Sequence, residues 1–382
     1  MNNQIVLPRI LQIGAGASAE VGNVMAGLGC TRPLIVTDKM MVQLGYVNRL
    51  QDCLADSDIY DDTLPEPTEA SILAGVEKVK SGDFDSIIAL GGGSSIDSAK
   101  AIAILGKYGG EMRDYMVPRV VDEPGLPIIA IPTTAGTGSE ATRVTIITDD
   151  KVDEKMLCMG MGFMPVAALV DFELALTVPP RTTADTGIDA LTHAMEAYVS
   201  RKANLYSNSQ AIQAMGLIAP NLRKAYHHGD DRQAREAMML GATLAGVAFS
   251  NASVALVHGM SRPIGAFFHV PHGLSNAMLL PMVTVFSIPG AVSGYAQCAR
   301  AMQVADPSDT DLIANEKLID ELRALNAELS VPTLSAFGID RDRYFSVIDV
   351  MADQAIASGS PGNNPRVPSK EQIIELYESV WS

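Results

Sequence analysis

A chain of 382 residues is too long for one ordinary domain, and at about 150 residues per domain it predicts two. A formal net charge of −16 argues against the clustered Lys and Arg surface that nucleic-acid phosphates or an anionic membrane require. With 47% hydrophobic and 19% charged residues, the composition is that of a well-packed globular protein and far from that of a disordered one.

The opening Met1-Asn2-Asn3-Gln4 carries no basic segment, and no apolar run approaches the roughly 18 residues that would span a bilayer, so a cytoplasmic protein is expected. Short β-rich runs then alternate with helical stretches. The clearest strands are Pro33 to Thr37, Ser86 to Leu90, Ile128 to Ile131, Val144 to Ile147 and Val166 to Val170. Most are apolar at successive positions, as in strands covered on both faces, which predicts a parallel or mixed α/β sheet. Near residue 177 the texture changes. Val178-Pro179-Pro180-Arg181 separates an α/β domain, 1–176, from an Ala-, Met- and Leu-rich domain, 177–382, that reads as all-helical.

Within the second half, Pro220, Pro263, Pro271, Pro281, Pro289, Pro307 and Pro332 are expected to divide the run into separate helices. Residues 358–365 read as a surface loop ahead of a last helix from about Lys370 to Trp381. The four cysteines, Cys30, Cys53, Cys158 and Cys298, have no paired spacing and read as reduced, mostly buried thiols.

Two turns carry chemistry in the first half. Gly91-Gly92-Gly93-Ser94-Ser95-Ile96-Asp97 joins a buried strand to a helix, where glycines let backbone N–H groups approach a ligand and the helix start favours an anion such as a pyrophosphate. A glycine turn that merely needs a positive φ would look the same. The second turn, Pro132 to Glu140, also follows a buried strand and gathers Thr133, Thr134, Thr137 and Ser139 around two glycines; together the turns predict nucleotide binding. Asp38, at the end of its strand, could accept from ribose hydroxyls and would repel a 2′-phosphate, favouring NAD over NADP, or it could simply shape the strand end. Lys155 reads by sequence as a solvated surface charge, although it could face a cofactor oxygen.

Of only six histidines, three fall into a pattern. Asp189 and His193 stand four apart in a helical stretch and share a face, as a simple Asp–His contact also would. His258 and His272 are separated by Pro263 and Pro271 and suggest a helix–loop–helix, each followed by a glycine, Gly259 or Gly273. One carboxylate and three neutral imidazoles would suit Fe²⁺ or Zn²⁺ and would suit Mg²⁺ or Ca²⁺ poorly.

These segments resemble the iron-containing (group III) alcohol dehydrogenase family: Gly-Gly-Gly-Ser-x-x-Asp at 91–97, Pro-Thr-Thr-Ala-Gly-Thr at 132–137, Thr-Gly-Ile-Asp-Ala-Leu-Thr-His-Ala-Met-Glu-Ala-Tyr at 186–198, and His-Gly-Met through Pro-His-Gly at 258–273. The resemblance runs along essentially the whole chain. It implies an α/β nucleotide-binding domain followed by an all-α metal-binding domain, with Asp189, His193, His258 and His272 as ligands of Fe²⁺ or, alternatively, Zn²⁺. It further implies Gly92, Gly93, Ser94 and Asp97 at the pyrophosphate of NAD, Thr133, Thr134, Thr137, Ser139 and Lys155 nearby, and Asp38 at the adenosine ribose. A homodimer or higher homo-oligomer is expected with it.

Two positions depart from the family pattern. Arg262 stands where members acting on small diols often carry a further histidine, which removes a proton carrier and opens an anion-binding role. Glu66 replaces an asparagine often found beside the cofactor. His269, three residues before His272, could supply the missing imidazole or act as a spare ligand, or have only a packing or surface role; His227 and His228 read as solvated.

The expected reaction is interconversion of a small primary alcohol and its aldehyde, with His272, His269 and Arg262 as candidate catalytic residues and a small-molecule alcohol or aldehyde as the partner. A dehydroquinate-synthase-like lyase is the alternative from another reaction class, but it would need several phosphate-binding cations, for which only Arg262 and Arg143 offer themselves. A non-catalytic NAD-binding protein is a third reading, against which the intact ligand set argues.

Overall fold

The computed structural model describes residues 3–381, so Met1 and Asn2 of the opening segment lie outside the described residues. The chain divides into two compact units, Val6–Val178 and a second made of residues 179–381 together with residues 3–5.

The first unit is built on a six-stranded, wholly parallel sheet. Its strands are β1 (Ile10–Ile13), β2 (Pro33–Val36), β3 (Asp58–Tyr60), β4 (Ser86–Gly91), β5 (Ile128–Pro132) and β8 (Ala167–Val170), in the order β1-β8-β5-β4-β2-β3. The helices are α1 (Val21–Leu28), α2 (Lys39–Gln43), α3 (Tyr46–Gln51), α4 (Glu69–Ser81) and α5 (Gly93–Tyr108). Continuous apolar strands follow from alternation in a doubly covered sheet. Leu34, Val36, Ile87, Ala89, Ile128 and Ala130 enter one core with Ile72, Val76 and Ile102, whereas Ile35, Ile88, Leu90, Ile129 and Ile131 enter another with Val21, Val47 and Leu50.

One predicted strand is placed differently. Val144 begins β6 (Val144–Asp149), which pairs with β7 (Glu154–Met159) in a separate antiparallel ribbon. Its alternating burial marks a strand covered on one face, unlike the sheet strands. Three strands escaped the sequence reading: β1 and β3 are short sheet edges, and β7 mixes Glu154 and Lys155 with its apolar residues.

The second unit is helical: α6 (Pro180–Val199), α7 (Leu205–His227), α8 (Arg232–Ser250), α9 (Leu256–Phe268), α10 (His272–Ser287), α11 (Val292–Ala301), α12 (Asp311–Glu328), α13 (Leu334–Phe337), α14 (Arg341–Ala357) and α15 (Lys370–Ser379). Pro179 and Pro180 start α6, where a missing N–H costs nothing. Against expectation, Pro220, Pro263 and Pro281 lie inside helices. Each interior proline costs about 3 kcal/mol, and the buried apolar faces of these helices outweigh it.

Residues 358–365 also differ from expectation. Ser360, Pro361, Asn363 and Asn364 are buried; Asn363 donates to Ser253 Oγ at 2.9 Å and Asn364 to Ser287 Oγ at 2.9 Å. Polar side chains here serve as internal hydrogen-bonding ties, which composition alone disguises as a surface loop. The stretch His272–Gly290 is long and apolar enough to cross a membrane by length and composition, contrary to the sequence reading; over half of its most apolar window is buried inside the protein. Of the cysteines, Cys30, Cys158 and Cys298 are buried free thiols, whereas Cys53 is exposed.

Ile102 is fully buried between α4, α5 and the sheet, with its Cδ1 filling the space that a side chain at Gly75 would need. Ile102→Ala should cost about 2–5 kcal/mol, read as a lowered melting temperature in thermal unfolding.

Candidate active site

Three helices of the second unit converge on four polar residues. Asp189 and His193 lie one turn apart on α6, His258 sits in the first turn of α9, and His272 opens α10. One ligand atom from each lies within 4.8 Å of all the others. His258 Nε2 is 3.4 Å, His272 Nε2 3.7 Å and His193 Nδ1 3.8 Å from Asp189 Oδ1. The His193 ring stacks on His258 and on Phe249, which fixes its plane.

The two glycines noted beside the histidines permit close packing, Gly273 of α10 on α6 and Gly259 of α9 on the 360–364 segment. A Cβ on Gly273 would lie 2.3 Å from Asp185 O, and one on Gly259 would lie 2.7 Å from Pro361 Cδ. The space beside each imidazole is therefore taken by backbone or by the 360–364 segment.

Burial opposes ionisation of Asp189, but His193, His272 and His258 around it outweigh that and hold its pKa below the ordinary carboxylate range. Burial pushes His193 down to about 3, so its imidazole is neutral near pH 7, with its Nδ1 buried and without a hydrogen-bond partner. Burial also disfavours a charged His258, yet Asp189 and Glu196 together raise its pKa. A buried carboxylate ringed by imidazole nitrogens, one of them unpartnered, is what a divalent cation would complete. Only the His272 side chain is appreciably accessible, at 22%, so the cluster opens on that side.

Glu196 is a functional residue that sequence reasoning missed. It lies on α6, seven residues after Asp189, and is buried. One carboxylate oxygen takes the His258 Nδ1 hydrogen at 2.7 Å and the Ala255 N–H at 2.9 Å, while the other accepts from Val257 N at 2.6 Å. Glu196 thereby caps α9, whose own N-cap residue is alanine, and turns His258 so that Nε2 faces the cluster. Its spacing on the Asp189 face was the available signal.

The other predicted residues of this unit fall outside the four. Arg262 is buried one turn after His258, with Nη1 donating to Ser360 Oγ at 2.9 Å and Nε unpartnered, and its charge is one of the influences that lower His193. His269 caps the end of α9 at φ 54° and is exposed. His227 and His228 are exposed as well, with His227 against Glu328.

In the first unit the two turns meet at the carboxyl ends of β4 and β5. Thr133 N donates to Gly91 O at 3.0 Å, a Cβ on Gly93 would strike Thr137 Cγ2 at 2.5 Å, and one on Gly92 would approach Thr134 Oγ1 at 3.3 Å. Gly91, at φ 146°, has the left-handed backbone that a side chain disfavours. The helix start at Gly92 has no side-chain cap, which leaves its first amides to other partners. The order in which strands are added switches sides between β2 and β4, the point in such sheets where ligands bind, and Asp38 follows β2 there. Asp38 Oδ1 accepts from Met40 and Met41 N–H and thereby caps α2; its Oδ2 lies 3.4 Å from Ser95 Oγ.

Lys155 is a correction to the reading of it as a solvated charge. Its side chain is 5% exposed and is paired with Glu66, the residue whose N–H donates to Ser94 Oγ in the first turn. Glu66 holds a φ of 54°, unusual for a side chain of this kind. Ser139, read as one of the turn's hydroxyls, is buried and committed inward: it donates to Asp97 Oδ1 at 2.7 Å and accepts from Lys100 Nζ at 2.8 Å. Asp97 also accepts from Ile146 N at 3.0 Å. Lys100, a second residue the sequence reading missed, is fully buried and also donates to the carbonyls of Thr142 and Val144, so one cation ties α5 to the second turn and to β6.

Two substitutions probe this arrangement. Gly273→Ala forces α10 away from α6 and should cost about 1–3 kcal/mol, seen as a lower melting temperature together with weaker divalent-cation uptake. Burial, opposed by Asp97 and Glu140, lowers Lys100 from 10.5 to about 8. The folded protein therefore sheds this proton before the unfolded chain does, and the group's contribution to stability rises as pH climbs from 8 towards 10.5. Lys100→Met lacks that rise, so its stability deficit relative to wild type, measured by urea unfolding, should widen across that window.

Family models cover both units: residues 8–172 match "Iron-containing alcohol dehydrogenase" and residues 183–381 match "Fe-containing alcohol dehydrogenase family, C-terminal". The chain is 34% identical over 388 residues to the lactaldehyde reductase of Escherichia coli K12, covering all of both chains. It is also 34% identical over 388 residues to an NADPH-dependent butanol dehydrogenase of Clostridium saccharobutylicum, covering 99% of this chain and 98% of that one. A solved 1,3-propanediol oxidoreductase superposes with a TM-score of 0.94 at 32% identity over the full length of both chains. From its two matched halves and its fold, the chain belongs to the iron-containing alcohol dehydrogenase family and is an oxidoreductase that interconverts alcohols and aldehydes.

Proposed function

We propose that the protein is an NAD(H)-dependent dehydrogenase in which Asp189, His193, His258 and His272 hold a divalent metal, Fe²⁺ or alternatively Zn²⁺. The convergence of four ligand atoms within 4.8 Å in a buried cluster that opens only at His272 carries this reading. A divalent cation there supplies Lewis-acid polarisation of the substrate oxygen, and NAD supplies the hydride acceptor. Glu196 keeps the His258 Nε2 lone pair directed inward, and the burial of His193 keeps that imidazole neutral.

The α/β unit is the NAD-binding domain in this reading and the helical unit the metal-binding domain. Gly92, Gly93 and Ser94 receive the pyrophosphate, with Thr134 and Thr137 beside them, and Thr133, Ser139 and Asp97 brace the turns from behind. The half-buried Asp38 accepts from the ribose and disfavours a 2′-phosphate. Glu66 neutralises Lys155, which moderates the positive charge offered to the cofactor.

The substrate in this reading carries an anionic group that pairs with Arg262, the buried cation one turn beyond His258. His269, exposed at the end of α9, serves as the proton carrier on the substrate side.

The test is an anaerobic assay of NADH- and NADPH-dependent reduction of neutral and anionic aldehydes, with Fe²⁺ and Zn²⁺ supplied separately. Metal-dependent consumption of NADH in preference to NADPH is expected, and no turnover with any aldehyde and either metal would sink the reading. Arg262→Ala should raise KM for anionic substrates by about 1–3 kcal/mol equivalent. An equal rise for neutral aldehydes would remove the anion role.

A further inference from the structure

Glu66 ties the first glycine turn to the β6–β7 ribbon. It lies between Pro65 and Pro67, in the segment that leads into α4. The carbonyl of Pro67 accepts from Thr148 N–H at 2.8 Å and Thr68 bridges to Thr148, which docks the segment on β6. Lys155 is directly opposite Thr148 on β7. From this position Glu66 reaches two ways: its backbone N–H donates to Ser94 Oγ at 3.2 Å, and its carboxylate is paired with the Lys155 ammonium.

Two features of this pair call for a cause. A residue that precedes proline is pushed towards extended backbone, yet Glu66 holds a φ of 54°. Such strain persists only where the surroundings over-determine it, here through the Thr148 contact of its neighbour, the Ser94 bond and the Lys155 pair. The carboxylate also stands near the uncapped start of α5, where helix amides and the positive end of the helix favour an anion. A carboxylate repels a phosphate, so a site shaped only to hold pyrophosphate has no use for one. Lys155 supplies the reason: its side chain is 5% exposed, and a buried ammonium needs a counter-charge while no nucleotide is bound.

On the reading of the α/β unit as an NAD-binding domain, we propose that Glu66 is a built-in competitor of the cofactor pyrophosphate for Lys155. It holds the ammonium while the site is empty and gives it up when the nucleotide arrives, so every binding event breaks the Lys155–Glu66 pair. Glu66 is the partner able to leave, because its side chain is 37% exposed and its carboxylate can turn to water. The consequence is a lowered affinity and a faster release of the cofactor. The penalty falls alike on oxidised and reduced nucleotide, which share the pyrophosphate, and spares adenosine, which has none.

The experiment measures binding of NADH, NADPH and ADP-ribose by calorimetry, displacement of NADH by adenosine, and NADH release by stopped-flow fluorescence. The proteins are wild type, Glu66→Gln, Lys155→Met and the double variant, with melting temperatures as a check on folding. Glu66→Gln keeps the size and an oxygen acceptor but not the charge. It should bind NADH and ADP-ribose roughly tenfold more tightly, a gain that solvent screening of the exposed carboxylate holds below that of a fully buried charge. NADH release should slow by a similar factor, and adenosine should be affected little or not at all. In the Lys155→Met background the same change should gain less than about threefold, because the ammonium that Glu66 competes for is gone. Unchanged or weaker NADH binding by Glu66→Gln overturns the proposal, the weaker result marking Glu66 as a residue that positions Lys155 for the phosphate. An equal gain for adenosine, or the full gain without Lys155, overturns it as well. If Glu66→Gln does not fold, Glu66→Asn, a residue at ease at positive φ, takes its place with the same expected gain. Wild type that binds neither NADH nor NADPH removes the nucleotide-binding reading itself, whereas binding by wild type with an unaffected variant removes only the role of Glu66.

Discussion

The helical unit is organised around one electrostatic constraint, the burial of Asp189. A carboxylate that is 2% exposed loses its water, at a cost of several kcal/mol unless partners replace it. Its partners come from α6 itself and from α9 and α10, and those from α9 and α10 arrive only if the helices approach closely. Glycine at 273 permits the approach of α10 to α6, Glu196 fixes the start of α9, and the His193 ring stacks on His258. Removal of any one disturbs the others, because all four residues share the same buried space.

The α/β unit meets a different constraint. Its two polar turns must be held rigidly, although glycine and threonine provide little packing of their own. Rigidity comes from behind: Lys100 links α5 to four carbonyl or hydroxyl oxygens of Ser139, Thr142 and Val144, and Asp97 closes the network through Ser139. A buried cation is tolerated because each of its hydrogens finds an acceptor.

Periodicity made part of this legible. Asp189 and His193 are readable as one helix face, and the apolar runs at 33–36, 86–90 and 128–131 as strands covered on both sides. Glu196 shares the face of Asp189, yet its work is to cap a helix some 60 residues away in the chain, and no local pattern records such a partner. Lys100 looks like an ordinary helical polar residue, which usually faces water. Here tertiary packing turned it inward. The edge strands β1 and β3 are only partly buried and lack the continuous apolar run of the inner strands, and the 360–364 segment has a loop's composition but the hydrogen bonding of an interior piece.

The bond between Arg262 and Ser360 reaches from the helix carrying His258 to the segment that also lies against Gly259. Residue 262 lies one turn beyond His258, so it looks like a free choice for redesigning substrate preference. It is not a free choice, because an imidazole is shorter than a guanidinium side chain and would leave Ser360 unanchored. Positions 262 and 360 are therefore coupled by one buried bond, and an engineer who exchanges the first takes on an obligation to rebuild the second.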